Sequence, residues 1–330
     1  MNEASMSSPT TNNEETTITT TPSSSISSPD IQILTTLQYH FFNDQDVRNE
    51  DDPTSEPSRL INTWKALNAA LLRLHARRLH DAALALGWTP AVLAQLTCLD
   101  LDQLIGQAAR AQLFRPHGTT SPPDRGGVVS ARVRVLISRP GVVSVELVPL
   151  SPGSSLGSTL RSRIANYTVN PFGSTMADVP VPPSRVVVDS CPTQASVFTR
   201  HKTTRRQVYD EARRRAEPPL LPTTVPTEGE VLVVGPAGEI MEASMSSVYF
   251  LRAGRWVTPP AGAGGMQSVT RMHALEKGWC VEAVVERESV REGEVIWLGN
   301  AVRGFFPGRI HLRGQNGEVD GQDTWSARRS

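Results

Sequence analysis

The run Arg132-Val-Arg-Val-Leu-Ile137, the turn Arg139-Pro-Gly141 and the return Val142 to Leu147 constrain the fold more than any other part of this chain. Apolar and charged residues alternate with a period of two, and a Pro-Gly turn lies between two such runs, which predicts an antiparallel hairpin. Arg132 and Arg134 then share one strand face, which solvent could equally cover. Before the hairpin, the spacing predicts a helix over about 58–86: Leu67, Leu71 and Leu74 recur at helical intervals, Arg78 continues their stripe, and Gly87 stops it. A strand is expected over 31–39, an acidic polar loop over 43–58, a shorter helix over 90–113 and a loop over 115–127. The first half therefore mixes helix with antiparallel strand.

The texture changes after 150. Residues 151–183 are rich in Gly, Ser and Pro and read as linker and loops. Beyond them, short apolar runs fall between turns. Strands are expected at 186–189, 231–234, 240–251, 256–258, 281–285 and 294–298, with helices at 205–216 and 269–277. The resulting expectation is a Ser/Thr-rich tail over 1–30, a small domain over 31–150, a linker over 151–180, a larger domain over 181–312 and a polar tail over 313–330.

Residues 1–30 hold almost no large apolar side chain and cannot offset ordering entropy by burial, so disorder is expected there. They carry Glu3, Glu14, Glu15 and Asp30 but no Lys or Arg, the wrong charge for a mitochondrial presequence, and they lack a secretory apolar core. A cytoplasmic protein is the expectation. The 330 residues carry zero formal net charge, which argues against a nucleic-acid footprint spread over the whole surface. No apolar run approaches the ~18 residues of a membrane span. Cys98, Cys191 and Cys280 make neither a CxxC pair nor a zinc spacing, so no metal is expected and the thiols read as buried and reduced.

Of the 33 basic residues only Lys65, Lys202 and Lys277 are lysines. Lys202 stands among Arg200, Arg205 and Arg206, where an arginine would carry the same charge. Only a lysine can lose a proton near neutral pH and attack a carbonyl carbon. A solvated charge is the plainer reading of one lysine in a basic stretch. Further along, Gly238-Glu-Ile-Met-Glu242 brings a carboxylate to a turn entering a strand. Gly262-Ala-Gly-Gly265-Met-Gln-Ser268-Val-Thr270 is a glycine-rich loop opening a helix, a natural anion site because the first helical amides are unpaired. Asn300-Ala-Val-Arg303-Gly follows a strand.

Taken in this order, these segments resemble the class IV aminotransferases, pyridoxal-phosphate enzymes of fold type IV, and within them the fungal 4-amino-4-deoxychorismate lyases. The resemblance covers about 31–312. It rests on the stretch from Pro192 through Lys202 and Tyr209 to Arg213, the Glu242 strand, Trp256-Val-Thr-Pro-Pro260 and Asn300-Ala-Val-Arg303-Gly. It implies an α+β protein of two α/β domains with pyridoxal 5'-phosphate in the cleft between them, acting as a homodimer. It gives Lys202 the covalent attachment of the cofactor and the later proton transfers, and Glu242 the pyridine nitrogen. His75-x-x-Arg78-Leu79 matches the family's phosphate arginine, and Arg78 on a leucine face needs an anion unless it snorkels off the stripe. Val269 and Thr270 would add phosphate donors, Thr270 being alternatively a plain helix cap. The Asn300-Ala301 segment would supply another.

Three departures from the family pattern stand out: Ser247 where Asn is common, Ser268 where Gly is common, and Ala301 where Ser or Thr is common. The implied activity is a lyase forming 4-aminobenzoate and pyruvate from 4-amino-4-deoxychorismate, a step of folate precursor synthesis. The alternatives are a transaminase of branched-chain or D-amino acids using the same cofactor residues, and a catalytically degenerate relative. A substrate with two carboxylates calls for arginines, and Arg303, Arg132, Arg134 and Arg271 are the candidates.

Overall fold

The computed structural model describes residues 31–42, 56–113, 129–150, 156–173 and 182–312. The expectations for 1–30, 115–127 and 313–330, and most of that for the acidic loop, lie outside the described residues. Two sheets organise the rest.

The first sheet has three strands: β1 (Ile33–Phe41), β2 (Val129–Ile137) and β3 (Val143–Pro149), with β2 in the centre. The alternation in β2 works as the sequence predicts. Ala131, Val133, Val135 and Ile137 pack into an apolar core with Ile33, Leu37 and Phe41 of β1. The opposite face presents Arg132 and Arg134, with Thr36 opposite Arg134 in register, and it lines a cavity in which Arg132 stays exposed.

Three helices cover the apolar face: α1 (Glu56–Ala85), α2 (Pro90–Thr97) and α3 (Leu101–Gln112). One helix over 90–113 was expected. The chain breaks it because Asp100 takes an extended conformation and caps the amide of Gln103 at 3.0 Å, starting a second helix. Helix α1 serves two cores at once. Leu72, Leu79, Ala82 and Ala83 join the first sheet's core, while Leu71 and Leu74 pack with Tyr167, Tyr249 and Phe305 of the second half.

The segment 151–180, read as linker and loops, holds a helix, α4 (Leu156–Thr168). Leu160, Ile164 and Tyr167 fall on one face, and Leu160 and Tyr167 are fully buried. The Gly, Ser and Pro residues around it hid that stripe.

The second sheet has eight strands in the order β6-β5-β4-β11-β10-β7-β8-β9. These are β4 (Ser184–Val188), β5 (Gly229–Val234), β6 (Ile240–Ala243), β7 (Ser247–Arg252), β8 (Arg255–Thr258), β9 (Val281–Glu282), β10 (Val295–Asn300) and β11 (Gly304–His311). Short helices α5 (Val197–Arg200), α6 (Gln207–Arg215) and α7 (Val269–Glu276) accompany it. The sequence reads 240–251 as one strand, yet Ser244–Ser246 interrupts it and sends β6 and β7 to places five steps apart in the sheet order. A flat sheet would separate them by roughly 24 Å at about 4.8 Å per strand, whereas the connection reaches at most about 15 Å. The sheet therefore curls back on itself, and the amide of Ala243 donates to the carbonyl of Ser246 at 2.9 Å across the seam. The expected strand 281–285 shortens to β9, and β11 was not foreseen.

The cysteines correct an expectation. All three are free, but only Cys280 is buried, while Cys98 and Cys191 are exposed. Among the described residues, no helix is long and apolar enough to cross a membrane.

Candidate active site

The seam of the curled sheet and the charged face of the first sheet enclose a cavity of about 400 Å³. Lys202, Glu242, Arg78, Val269, Asn300, Ala301, Arg303, Arg132 and Arg134 all line it. Residues more than two hundred positions apart in the chain thus meet at one place.

Lys202 lies in the turn between α5 and α6. This turn is tied to the first sheet, because Leu34 donates to the Lys202 carbonyl at 3.0 Å and Thr204 donates to the Gln32 carbonyl at 2.9 Å. The side chain is half-buried, with its accessible part facing the cavity. Its depth in the protein, then the charges of Arg206 and Arg78, bring the amine down from 10.5 to about 7, against an opposing pull from Glu242.

Glu242 is the third residue of β6 and is buried. Its Oε1 accepts from the Tyr209 hydroxyl at 2.6 Å and from the Met266 amide at 3.1 Å. Oε2 has no hydrogen-bond partner among the described residues. Burial pushes the carboxyl up from 4.5 to about 7, although the Tyr209 and Met266 bonds and the charges of Lys202 and Arg206 favour its anion. The glycine-rich loop makes the Met266 contact possible: a Cβ on Gly265 would stand 2.4 Å from the Met241 carbonyl oxygen.

Arg78 is buried, as its place on the leucine stripe implies. One Nη donates to Thr35 Oγ1 at 2.5 Å, and the same hydroxyl meets His75 Nδ1 at 2.5 Å. Its Nε, also buried, has no partner among the described residues. Burial, then the charges of Arg78, Arg163 and Lys202, keep His75 neutral. An isolated buried guanidinium is unfavourable, so this end of the cavity is built for an anion.

At the start of α7 the cap is Ser268, not Thr270: Ser268 Oγ accepts from the Arg271 amide at 3.1 Å. Thr270 is fully buried, and its hydroxyl lies 3.0 Å from Ser268 Oγ. Ser268 Oγ also lies 2.6 Å from Ser247 Oγ, so two of the three departures from the family pattern touch each other. In this first turn the amides of Val269 and Thr270 have no intrahelical partner. Asn300 closes the β10–β11 turn, its Oδ1 accepting from the amides of Val302 at 3.1 Å and Arg303 at 3.0 Å. The Ala301 carbonyl accepts from Arg163 of α4 at 2.6 Å.

The arginines divide. Arg134 pairs with Glu146 at 2.6 Å on its own hairpin. Both Arg132 and Arg303 line the cavity, and burial, then the charge of Arg132, lowers the pKa of Arg303. Arg271 is not in this cavity. It is buried against the Pro259 carbonyl, Gln267 and Glu282, and braces the glycine-rich loop.

Sequence reasoning missed the role of Tyr209, although the residue stands within the quoted Lys202 segment, and it assigned none to Arg206 or Ser246. No local pattern shows that a phenol on α6 will reach a carboxylate on β6. It also missed Glu230, fully buried on β5, which accepts from Ser244, Ser246 and the Met245 amide and lies 3.8 Å from the buried Arg213. This network holds the interrupting residues of the seam against the cavity.

The family model described as amino-transferase class IV matches residues 63–310. An aminodeoxychorismate lyase of Saccharomyces cerevisiae is 27% identical over 195 residues, 55% of this chain and 52% of that protein. A Schizosaccharomyces pombe protein assigned the same activity is 27% identical over 188 residues, 56% of this chain and 68% of that protein. The match thus spans about half the length of the first relative. Among solved structures, a Mesorhizobium loti protein described as an amino-acid aminotransferase superposes with a TM-score of 0.51 over 86% of this chain and 100% of its own, at 20% identity, which establishes the shared fold.

Proposed function

This chain belongs to the class IV aminotransferase family, whose members are pyridoxal-phosphate-dependent lyases and transaminases of α+β fold type IV, and from that premise we propose that it is an aminodeoxychorismate lyase. The reaction would release 4-aminobenzoate and pyruvate from 4-amino-4-deoxychorismate. The observation that carries this reading is the cavity lining: five arginines, Arg78, Arg132, Arg134, Arg206 and Arg303, surround Lys202 and Glu242. One would serve the cofactor phosphate, and a substrate with two carboxylates accounts for more of them than an amino acid with an apolar side chain does. The names of both fungal relatives support the same choice.

The residues present fit the cofactor. Its phosphate would take Arg78, whose Nε is free among the described residues, and the amides of Val269 and Thr270. Oε2 of Glu242 is available for the pyridine nitrogen, and Lys202 offers a free amine near neutral pH. When bound, pyridoxal phosphate supplies a covalent attachment for the substrate amine and an electron sink. Lys202 would accept the proton from the ring carbon that bears the amine. An ionised Glu242, held by Tyr209 and Met266, would balance the positive pyridine nitrogen. Arg132 and Arg303 would bind the carboxylates and stabilise charge on the departing enolpyruvyl oxygen, which leaves as the ring becomes aromatic. We propose a homodimer in the cytoplasm as the acting form.

Purified protein reconstituted with pyridoxal phosphate should convert aminodeoxychorismate to 4-aminobenzoate, followed by its fluorescence. Consumption of 2-oxoglutarate with an amino donor, and no aminobenzoate, would make it a transaminase instead. A protein that takes up no cofactor would be the degenerate relative.

A further inference from the structure

Arg206 stands four residues after Lys202, at the N-terminal end of α6. Its Cζ lies 5.1 Å from the centre of the Tyr209 ring, and Nη2 donates to the Ser244 carbonyl at 3.0 Å. It lines the cavity with Lys202 and Glu242. The ring beneath it is the one whose hydroxyl holds Glu242. Asp210 is 3.9 Å away at a part-exposed position, too long and too well solvated to cancel its charge.

Lys202 and Glu242 pose a problem as a pair. Left to themselves, an amine and a buried carboxyl in one cavity wall favour either ammonium with carboxylate or amine with carboxylic acid. The chemistry needs a free amine beside an ionised carboxylate, and only a further positive charge selects that state. The groups acting on Lys202 are Arg78 of α1, with neutral His75 behind it, Arg134 of β2, Glu242 of β6 and Arg206. Arg78 is directed to the anion end and Arg134 is paired with Glu146. We propose that Arg206 is a positioning residue acting through Lys202 and Glu242, whose permanent charge keeps the lysine a free amine while the neighbouring carboxylate stays ionised. A guanidinium suits the task because it does not itself titrate in this range. It stands in the cavity wall with both groups, and its charge favours the free amine of Lys202 and the anion of Glu242 alike.

The inference rests on Lys202 being the reactive amine, and the test separates the two. Full-length wild type, Arg206→Gln and Arg206→Lys are treated with potassium cyanate, without added cofactor, from pH 5 to 10. Carbamylation of Lys202 is read by peptide mass spectrometry, with the exposed Lys65 and Lys277 as internal references. Cyanate reacts with the neutral amine, so the pH midpoint reports its titration. The expected result is an upward shift of about 0.5–1 unit in Arg206→Gln, three- to tenfold slower reaction at pH 6, with Arg206→Lys close to wild type. If Arg206→Gln does not fold, Arg206→Met, which keeps packing over Tyr209 without charge, is read in the same way. An unchanged midpoint in the neutral variant, or an equal shift in Arg206→Lys, overturns the proposal. A wild-type Lys202 that titrates with the reference lysines overturns the lysine reading itself.

Discussion

Replacing Glu242 by Gln should stabilise the cofactor-free protein at alkaline pH while abolishing the activity that depends on the carboxylate. The folded carboxyl titrates at about 7 against an ordinary value of 4.5 because burial disfavours its anion. Its stabilising contribution is therefore complete below about pH 4.5 and is lost as pH rises through 7. Between pH 5 and pH 8 that loss amounts to about 2.5 kcal/mol. The side chain is only 7% exposed, so solvent screening does little to reduce it. Gln is neutral throughout and retains an oxygen for the Tyr209 hydroxyl and the Met266 amide, so it escapes the loss. Urea unfolding of wild type and Glu242→Gln at the two pH values, followed by tryptophan fluorescence, measures this. The variant should gain about 2–3 kcal/mol relative to wild type on going from pH 5 to pH 8. Identical pH dependence in both proteins would show that Glu242 is not desolvated and would remove the physical basis of its assignment.

Other outcomes follow from the same geometry. The acid limb of kcat should have its midpoint near pH 7, because Lys202, released from the cofactor once substrate is bound, must be unprotonated and its amine titrates at about 7; a limb below pH 5.5 would exclude that lysine as the base. Arg78→Met should weaken pyridoxal-phosphate binding about 10- to 100-fold in absorbance titrations by removing a charged phosphate donor. An unchanged affinity would place the phosphate elsewhere. Gly265→Ala should lower the melting temperature by several degrees, since the new Cβ would meet a backbone oxygen at 2.4 Å, and should weaken cofactor binding through the displaced Met266 amide. A melting temperature equal to wild type would mean that the loop yields freely.

The sequence by itself determined the local elements and the identities of the chemical groups. Alternation in β2 set Val133 and Val135 against Arg132 and Arg134, because side chains on a strand point to opposite faces. Leucine spacing set α1 and put Arg78 on its inner stripe. The choice of lysine among arginines marked the amine, and a fixed order of motifs marked its family. These are short-range facts, decided within a few residues of backbone. Distance along the chain hid the rest. Helix α4 escaped because its stripe is short and its flanks look like loop. The interruption at Ser244–Ser246 escaped because its cause, a buried Glu230 accepting from all three residues, lies on another strand. Only the tertiary structure made Arg132 a cavity residue and Arg271 a brace, and only it brought Tyr209 to Glu242. It also decided the protonation of Lys202 and Glu242, for a pKa belongs to the surroundings of a group: the depth of burial and the charges gathered from α1, β2, α6 and β6.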